Sequence, residues 1–341
     1  MKTLLQPSHK PTHKPKIIHV LSDRNVGGIK STSSSLVNSR LQDEFEFLFL
    51  TATEVVAQIR IVQPAVTIWH DPCNWYSLRH LLWLRWHSKL LIHEHHYAAG
   101  FERWRVRSPQ RFHWLLRFAY GIASKVVAIS EGQKTWIEQN SLVKSSNLIL
   151  IQQCRDLAQF LSISPKSATT PLVLGAYGRF SQQKGFVTLL EAMQRVSNPA
   201  VKLLIGGYGE QEQQLLDLAG NDPRIEFIGA VGDVPAFLNQ CDGIIIPSYW
   251  EPWGNVCLEA KAAGKVVIAS AIDGLTEQID QCGILVTPHD ADDLARAIEQ
   301  IYTMPRAQIA AWGNQGRIKV TNAWEDYLVA WEALLRDLCR K

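Results

Sequence analysis

Short apolar runs alternate with amphipathic stretches along the whole chain. The apolar runs occupy 16–22, 45–51, 65–70, 89–95, 125–130, 147–152, 172–179, 201–206, 225–229, 243–247, 265–270 and 283–287. Between them apolar positions recur at helical spacing, for example over 30–41, 110–122, 185–197, 210–219, 255–263, 291–302 and 323–338. This alternation predicts an α/β fold with two doubly wound, Rossmann-like domains whose parallel sheets are covered by helices.

The segment 162–171 interrupts the pattern, since it is rich in Ser, Thr and Pro and has no periodicity. We place a linker there, between an N-terminal domain at 16–165 and a C-terminal domain at 172–319. Residues 1–15 form a Pro/Lys/His tail without the apolar core of a signal peptide, so we expect a disordered arm. Two facing domains make the cleft between them the expected ligand site.

Composition narrows the class of protein. Hydrophobic residues make up 46% of the chain and charged residues 20%, as in soluble globular proteins, and no apolar run approaches the roughly 18–20 residues that span a bilayer. The six cysteines show no CxxC spacing, which indicates neither a zinc site nor a disulfide framework. A reducing, cytoplasmic compartment is the natural location.

The net charge of +3 conceals an uneven distribution. Residues 1–165 contain 20 Lys and Arg against 11 Asp and Glu, whereas residues 166–341 contain 15 against 21. This asymmetry indicates that the first half faces an anionic partner.

Two glutamates stand out in 243–277. Glu251 lies in the loop after an apolar strand, and Glu259 lies in the helix that Gly254 and Asn255 open, whose free N–H groups favour anions. Two carboxylates spaced in this way can hold two parts of an extended ligand. The alternative is that Glu251 caps the helix and Glu259 is a solvated helical residue.

A second group, GRFSQQKG at 178–185, places Arg179 and Lys184 at the carboxyl end of a strand. A forked guanidinium and an ammonium suit a diphosphate, although two surface charges flanking a turn would look the same in sequence. Two glycine turns are weaker indications. They are IGGYGE at 205–210, with Gly207 and Gly209, and the segment 23–35, with Gly27 and Gly28, which matches neither a dinucleotide fingerprint nor a P-loop.

Taken together, these motifs resemble those of the family 4 retaining glycosyltransferases, also called glycosyl transferases group 1, which have the GT-B fold. The resemblance rests on Glu251 and Glu259, which are separated by seven residues, with Ala-Ala-Gly at 262–264, on Gly178-Arg179-Phe180 with Lys184-Gly185, on Gly27-Gly28, and on Ala323-Trp324-Glu325 opening a terminal helix. In relatives that helix, here 320–341, crosses back to the first domain.

The resemblance implies roles by position. Glu259 would bind the ribose hydroxyls, Glu251 and the segment Trp253–Val256 (Trp253, Gly254, Asn255 and Val256) the donor sugar, and Arg179 and Lys184 the diphosphate of a UDP- or GDP-sugar. Gly27, Gly28, Gly207 and Gly209 would line the donor site. The family's front-face mechanism lets the leaving diphosphate help deprotonate the acceptor, so Arg179 and Lys184 would stabilise the charge that develops there.

Three departures from the family pattern occur. Asp273-Gly274 stands where Gly-Gly is usual, Gln153-Cys154-Arg155-Asp156 replaces Asn-Gly-Val-Asp, and Pro252-Trp253 replaces Gly-Phe or Pro-Phe. The first two leave details of the nucleobase and sugar contacts open.

Histidines cluster in IHEHH at 92–96, which is not the HExxH zinc motif. On a strand His93 and His95 share one face, and Glu94 and His96 the other. The family often has Glu-His at this strand end, so we assign His95 to the catalytic group, with His96, His70 and Asp71 as weaker acceptor-side candidates, and His93 as structural.

No metal site or required cofactor is predicted. Asp290-Ala-Asp292 spells the DxD of metal-dependent transferases, but it directly precedes a predicted helix. Acidic capping of that helix explains it better.

Eight cations and only two acids lie between 79 and 117, interleaved with Trp83, Trp86, Trp104 and Trp114. Cations beside tryptophan suit the interface of an anionic membrane, which predicts peripheral contact at the inner face of a membrane. A solvated basic rim with buried tryptophans and a polyanionic acceptor are the alternatives. No nucleic-acid-binding module accompanies the charge.

The sequence therefore predicts a retaining hexosyltransferase that moves a sugar from a nucleotide-diphosphate donor to a glycan, lipid-linked or other cell-envelope acceptor. The alternatives are a non-catalytic nucleotide-sugar-binding scaffold and a sugar-nucleotide epimerase of the same fold.

Overall fold

Two parallel six-stranded sheets organise the chain in the computed structural model, which describes residues 14–22, 28–164 and 171–340. The first sheet contains β1 (Lys16–Val20), β2 (Glu46–Leu50), β3 (Val66–Trp69), β4 (Lys89–Glu94), β5 (Lys125–Ala128) and β6 (Leu148–Leu150). The second contains β7 (Leu172–Arg179), β8 (Val201–Tyr208), β9 (Ile225–Gly229), β10 (Gly243–Ile246), β11 (Val266–Ser270) and β12 (Gly283–Val286). All twelve predicted strands are confirmed.

Fifteen α-helices connect these strands within the described ranges. They are α1 (Gly28–Val37), α2 (Ala52–Val62), α3 (Ser77–His87), α4 (Ala99–Arg105), α5 (Pro109–Ile122), α6 (Glu131–Gln139), α7 (Ala158–Leu161), α8 (Phe186–Arg195), α9 (Glu212–Ala219), α10 (Val234–Gln240), α11 (Asn255–Ala262), α12 (Asp273–Gln278), α13 (Ala291–Thr303), α14 (Arg306–Val320) and α15 (Ala323–Arg340). Of the predicted segments, the arm at 1–15, the linker at 162–171 and Gly27 lie wholly or largely outside the described residues.

The strand order creates one reversal point in each sheet. The first sheet has the order β2-β1-β3-β4-β5-β6 and the second β12-β11-β10-β7-β8-β9, so the chain reverses between β1 and β3 and between β7 and β10. Loops leave in opposite directions at such a point and open a crevice beyond the carboxyl ends of the strands. The crevice of the first sheet lies beyond His19 and His70, and that of the second beyond Arg179 and Pro247.

The last helix, α15, packs on the first sheet, as the resemblance implied. Trp331 is fully buried and its indole lies 5.0 Å from the His93 ring of β4. Arg40 binds Glu325 at 2.7 Å and also Glu332, and Arg336 donates to Glu44 at 2.8 Å. One apolar core accordingly runs from the first sheet through α15 to α11.

We expect Trp331→Ala to lower the free energy of unfolding by about 3–5 kcal/mol, because it leaves a cavity between α15 and the first sheet. The matched control is Val329→Ala on the same helix, where the side chain is 52% exposed and the expected loss is within about 0.5 kcal/mol. Urea unfolding measures both. Equal losses in the two variants would contradict the packing of α15 described here.

Candidate functional site

Four predicted side chains surround the carboxyl ends of β7 and β10. Lys184 forms an ion pair with Glu251, and its aliphatic chain passes within 4.0 Å of the position a Cβ would take on Gly178. Arg179, the last residue of β7, is exposed. Glu259 lies below them on α11 and accepts from the hydroxyl of Tyr177, also on β7, at 2.6 Å. The structure therefore brings Arg179, Lys184, Glu251 and Glu259 to one edge of the second sheet.

The structure excludes the alternative in which Glu251 caps the helix and Glu259 is solvated. Glu259 is 5% exposed, so it is not a solvated helical residue, and Gly254 rather than Glu251 is the N-cap of α11. Burial raises the pKa of Glu259, and Arg155 and Tyr177 offset part of that rise. Arg155 Nη1 lies 2.8 Å from Glu259 Oε1.

The start of α11 presents further predicted residues. Gly254 has a φ of 99°, and after it the N–H groups of Asn255 and Val256 begin the helix without intrahelical acceptors. Trp253 is 6% exposed, and its carbonyl accepts from the side chain of Gln278 at 2.6 Å. The loop that carries Trp253 is thus fixed from below, while the two N–H groups at the helix start are free to meet an anion.

The predicted glycines lie where backbones approach closely. A Cβ on Gly207 would lie 2.0 Å from the carbonyl oxygen of Gly178, and one on Gly209 would lie 2.4 Å from that of Phe180. A Cβ on Gly28 would lie 2.8 Å from Nδ2 of Asn255. Gly28 opens α1, so here the first half of the chain meets the start of α11 across the cleft.

The histidines form a buried group at the ends of β1, β3 and β4. His93 and His95 share a face, as predicted, with ring centroids 3.9 Å apart. Both ring nitrogens of His95 are engaged, Nε2 with His70 at 3.0 Å and Nδ1 with Gln153 at 2.8 Å. His95 therefore meets a ligand only through its ring edge unless one of these bonds is released.

The remaining acceptor-side candidates lie beside this group. His96 donates from Nε2 to the carbonyl of His70 at 2.9 Å, and its Nδ1 has no partner among the described residues. Asp71 accepts from the backbone N–H of Ser22 at 2.9 Å and from the hydroxyl of the same serine. Of the three histidines predicted to contact a substrate, His70, His95 and His96, only His96 thus has a ring nitrogen without a partner among the described residues.

His70, His93 and His95 also place one nitrogen each within 4.8 Å of one another, which is the one candidate metal cluster in the described ranges. The Asp290 and Asp292 motif is not part of it. Asp290 is the N-cap of α13 and accepts from the N–H of Asp293 at 2.9 Å, which confirms the capping interpretation.

The residues that cross the cleft were not predicted from the sequence. Asp273 accepts from the N–H of Gly100 at 2.9 Å and from that of Glu251 at 3.1 Å, and Glu277 accepts from the N–H of Gly132 at 3.1 Å. Gln153 donates to Asn255 at 2.8 Å. Asp273, Gln153 and Arg155 all lie in the departures from the family pattern, which was the one indication the sequence offered.

Burial keeps the histidine group neutral. It lowers the pKa of His19 and of His95 to about 3, and it holds the pKa values of His70 and His93 well below the ordinary value. In the unfolded chain these rings take up a proton near pH 6.5. The stability they support is therefore fully present above about pH 6.5 and is lost as the pH falls towards 3.

We expect the free energy of unfolding to decrease between pH 7 and pH 5, by about 1.4 kcal/mol per pH unit for each buried histidine once the pH is below 6.5. Urea unfolding at each pH measures the slope. His93→Leu should reduce the slope by one histidine's share, whereas Val329→Ala, which removes no titratable group, should leave it unchanged. A free energy of unfolding that does not vary between pH 7 and pH 5 would contradict this.

Residues 159–319 match the family model of the glycosyl transferases group 1. The chain is 30% identical over 171 residues to a glycogen synthase of Mycobacterium tuberculosis, covering 48% of this chain and 41% of that protein. It is 39% identical over 139 residues to the lipopolysaccharide core biosynthesis glycosyltransferase LpsE of Rhizobium meliloti, covering 39% and 40%. The chain thus spans about two fifths of the length of these relatives.

Solved structures match over nearly the whole chain. Sucrose-phosphate synthase from Thermosynechococcus elongatus superposes with a TM-score of 0.81 at 20% identity, covering 95% of this chain and 99% of that one. Anabaena Alr3699/HepE in complex with UDP-glucose superposes with a TM-score of 0.75 at 19% identity, covering 94% and 99%. These likenesses show the fold.

Proposed function

Since the chain carries a glycosyl transferases group 1 domain at 159–319 on a GT-B fold, we propose that it is a glycosyltransferase using a nucleotide-diphosphate-sugar donor. The observation that supports this best is the group at the ends of β7 and β10. An exposed Arg179 lies beside the Lys184–Glu251 pair, above the buried Glu259. Cations flanked by two carboxylates complement a ligand with a central diphosphate and hydroxyl groups at both ends.

The carboxylates keep acceptor capacity for such a ligand. A carboxylate has about four lone-pair sites, and the described contacts of Glu259 use one site on each oxygen. Glu251 uses Oε2 for Lys184 and Ser248, and its Oε1 has no partner among the described residues. Ribose hydroxyls at Glu259 and a sugar hydroxyl at Glu251 therefore need not displace these partners.

UDP or GDP is the proposed leaving group. Alr3699/HepE, which shares the fold, was crystallised with UDP-glucose. We assign Arg179 and Lys184 to the diphosphate, where they stabilise the charge that develops as the sugar leaves. This role requires no divalent ion, because the two side chains supply the positive charge.

Retention of the anomeric configuration is part of the proposal. A double displacement needs a carboxylate nucleophile at the anomeric carbon, whereas the roles proposed here give Glu251 and Glu259 to sugar and ribose hydroxyls, and Asp273 accepts from two backbone N–H groups. A front-face reaction, in which the leaving phosphate accepts the acceptor proton, needs no such nucleophile. The anomeric configuration of the product, read by NMR, tests this point.

We expect Arg179→Ala to weaken the binding of UDP or GDP about 10- to 100-fold, because one charge-assisted contact to phosphate is lost. Isothermal titration calorimetry measures the dissociation constant. The matched control is Arg195→Ala, another exposed arginine, which pairs with Asp292 away from the cleft and should bind like the wild type.

Two outcomes would count against the proposal. If UDP, GDP and ADP all fail to bind the wild type, the transferase function is wrong. If Arg179→Ala and Arg195→Ala bind equally well, the assignment of Arg179 is wrong. Nucleotide-sugar binding without transfer to glycan or lipid-linked acceptors would favour the scaffold, and conversion of the donor sugar without an acceptor would favour an epimerase.

A cell-envelope acceptor is proposed because LpsE, a relative, is a lipopolysaccharide core biosynthesis enzyme and because one face of the first half suits a membrane. Neighbouring helices α3 and α5 both expose arginines between apolar side chains. This basic aromatic face consists of Arg79, Leu82, Arg85 and Trp86 on α3 and of Arg111, Trp114, Arg117 and Phe118 on α5.

Exposure of the tryptophans favours membrane contact over a basic rim with buried tryptophans. Trp86 is 86% exposed and Trp114 68%, whereas Trp83 and Trp104 are half-buried, so the tryptophans are not all packed inside. Exposed indoles beside arginines match the headgroup region of an anionic bilayer, such as a cytoplasmic leaflet. Among the described helices none is both long and apolar enough to cross a bilayer, so the proposed contact is peripheral.

We expect the protein to float with vesicles containing phosphatidylglycerol at low salt and not with pure phosphatidylcholine vesicles. Trp86→Ala with Trp114→Ala should abolish flotation, and Arg79→Gln with Arg85→Gln should weaken it by about 1 kcal/mol per charge. Ile318→Ala, at a 65% exposed position on α14, is the control. Absence of flotation in the wild type contradicts the membrane contact.

A further inference from the structure

An unbroken line of hydrogen bonds runs from the interior of the first sheet to the second. His19 Nδ1 lies 2.9 Å from His70 Nε2, and His70 Nδ1 lies 3.0 Å from His95 Nε2. His95 Nδ1 lies 2.8 Å from Oε1 of Gln153, and Nε2 of Gln153 donates to Asn255 at 2.8 Å. The three rings and the glutamine are all at least nine-tenths buried.

The line crosses the cleft to Asn255 on α11, which in turn contacts α1 of the first half. Nδ2 of Asn255 lies 3.3 Å from the carbonyl oxygen of Gly28 and 3.3 Å from Oγ1 of Thr32, both on α1. A carbonyl only accepts, so the nitrogen of the Asn255 amide faces α1 and its oxygen faces Gln153. The contact is possible because Gly28 has no Cβ, which would lie 2.8 Å from that nitrogen.

The orientation of the Asn255 amide determines which ring nitrogen of each histidine carries the proton. The Gln153 amide donates to Asn255, so its oxygen faces His95 and can only accept, and His95 carries its proton on Nδ1. A neutral His95 then accepts at Nε2, so His70 is protonated at Nδ1 and accepts at Nε2. His19 is consequently protonated at Nδ1 as well. Each ring donates towards the cleft, and the single N–H group of each neutral ring is engaged in the line.

We propose that His19, His70 and His95 are positioning residues that act through Gln153 to hold Asn255, and with it the start of α11, against α1. Hydrogen bonds in a buried line polarise one another in the same direction, which strengthens the last bond of the series. The spacing of the cleft at the donor site is then set from within the first sheet. That Asn255 contacts a donor rests on the proposed function, but the positioning of Asn255 does not.

His93 separates this proposal from its main competitor, a divalent metal ion held by His70, His93 and His95. Both ring nitrogens of His93 are buried without a described partner, so His93 takes no part in the line. A metal would need His93 as a ligand and would break the bond between His70 and His95, since it must take a lone pair from each. The two arrangements therefore predict opposite effects of changing His93.

The test compares three variants of the full chain, each with a substitution at a buried histidine, in the absence of ligand. His70→Leu interrupts the line, His70→Gln retains an acceptor on one side and a donor on the other, and His93→Leu removes a neighbouring ring outside the line. We expect His70→Leu to increase amide hydrogen exchange about tenfold at 28–34 and 255–259. His70→Gln should restore most of the protection, and His93→Leu should leave it as in the wild type.

A double-mutant cycle on UDP or GDP binding provides the second measurement. His70→Leu and Asn255→Ala should each weaken binding, and the double variant should be no weaker than Asn255→Ala alone, because both changes act through the same line. His93→Leu alone should bind the nucleotide like the wild type, so adding it to Asn255→Ala should not change the binding of Asn255→Ala.

Several results would overturn the proposal. These are equal exchange in His70→Leu and His93→Leu, additive effects of His70→Leu and Asn255→Ala, or stoichiometric zinc or cobalt binding that His93→Leu abolishes. If the wild type binds no nucleotide, the proposed function fails, and the exchange experiment still decides on the line of histidines.

Discussion

A carboxylate buried at the edge of the second sheet needs a cation, and the nearest one belongs to the segment that leaves the first sheet. Glu259 is almost completely buried on α11, and Arg155 reaches it from the chain that follows β6. Leaving such a charge without its partner costs several kcal/mol. The segment after β6 must therefore lie against α11, and this fixes how far apart the two reversal points can be.

The other polar contacts across the cleft follow from that placement. With Arg155 anchored, Gln153 two residues earlier lies between His95 and Asn255. Asp273 and Glu277, which belong to the second half as Asn255 does, accept from backbone N–H groups of the first half, at Gly100 and Gly132. Carboxylates and amides on one side thus meet donors on the other, beside an aromatic contact in which Trp104 stacks on Tyr249 with ring centroids 5.1 Å apart. The polar contacts leave surfaces suited to a charged, hydroxyl-rich ligand.

The sequence could predict the sheets because their signal is local. A run such as GIII at 243–246 is apolar on both faces and is bounded by turn residues, which is typical of a strand in a parallel sheet. Boundaries were less certain where side chains compete with the backbone. Helix α1 ends at Val37, earlier than predicted, and the Ser39 hydroxyl then accepts from the N–H of Leu41 to begin a separate 3-10 turn.

The site could be predicted only in part, and the missing part has a physical cause. Arg179, Lys184, Glu251 and Glu259 lie at fixed offsets from strands, so their positions follow from the pattern of one half of the chain. Arg155 and Asp273 acquire their roles only when the other half is in place, since their partners are more than a hundred residues away. The departures from the family pattern at these two positions therefore concern how the halves meet rather than how the second half binds. For the same reason His95, assigned from sequence to direct contact with a substrate, has both nitrogens engaged by residues that no local pattern could supply.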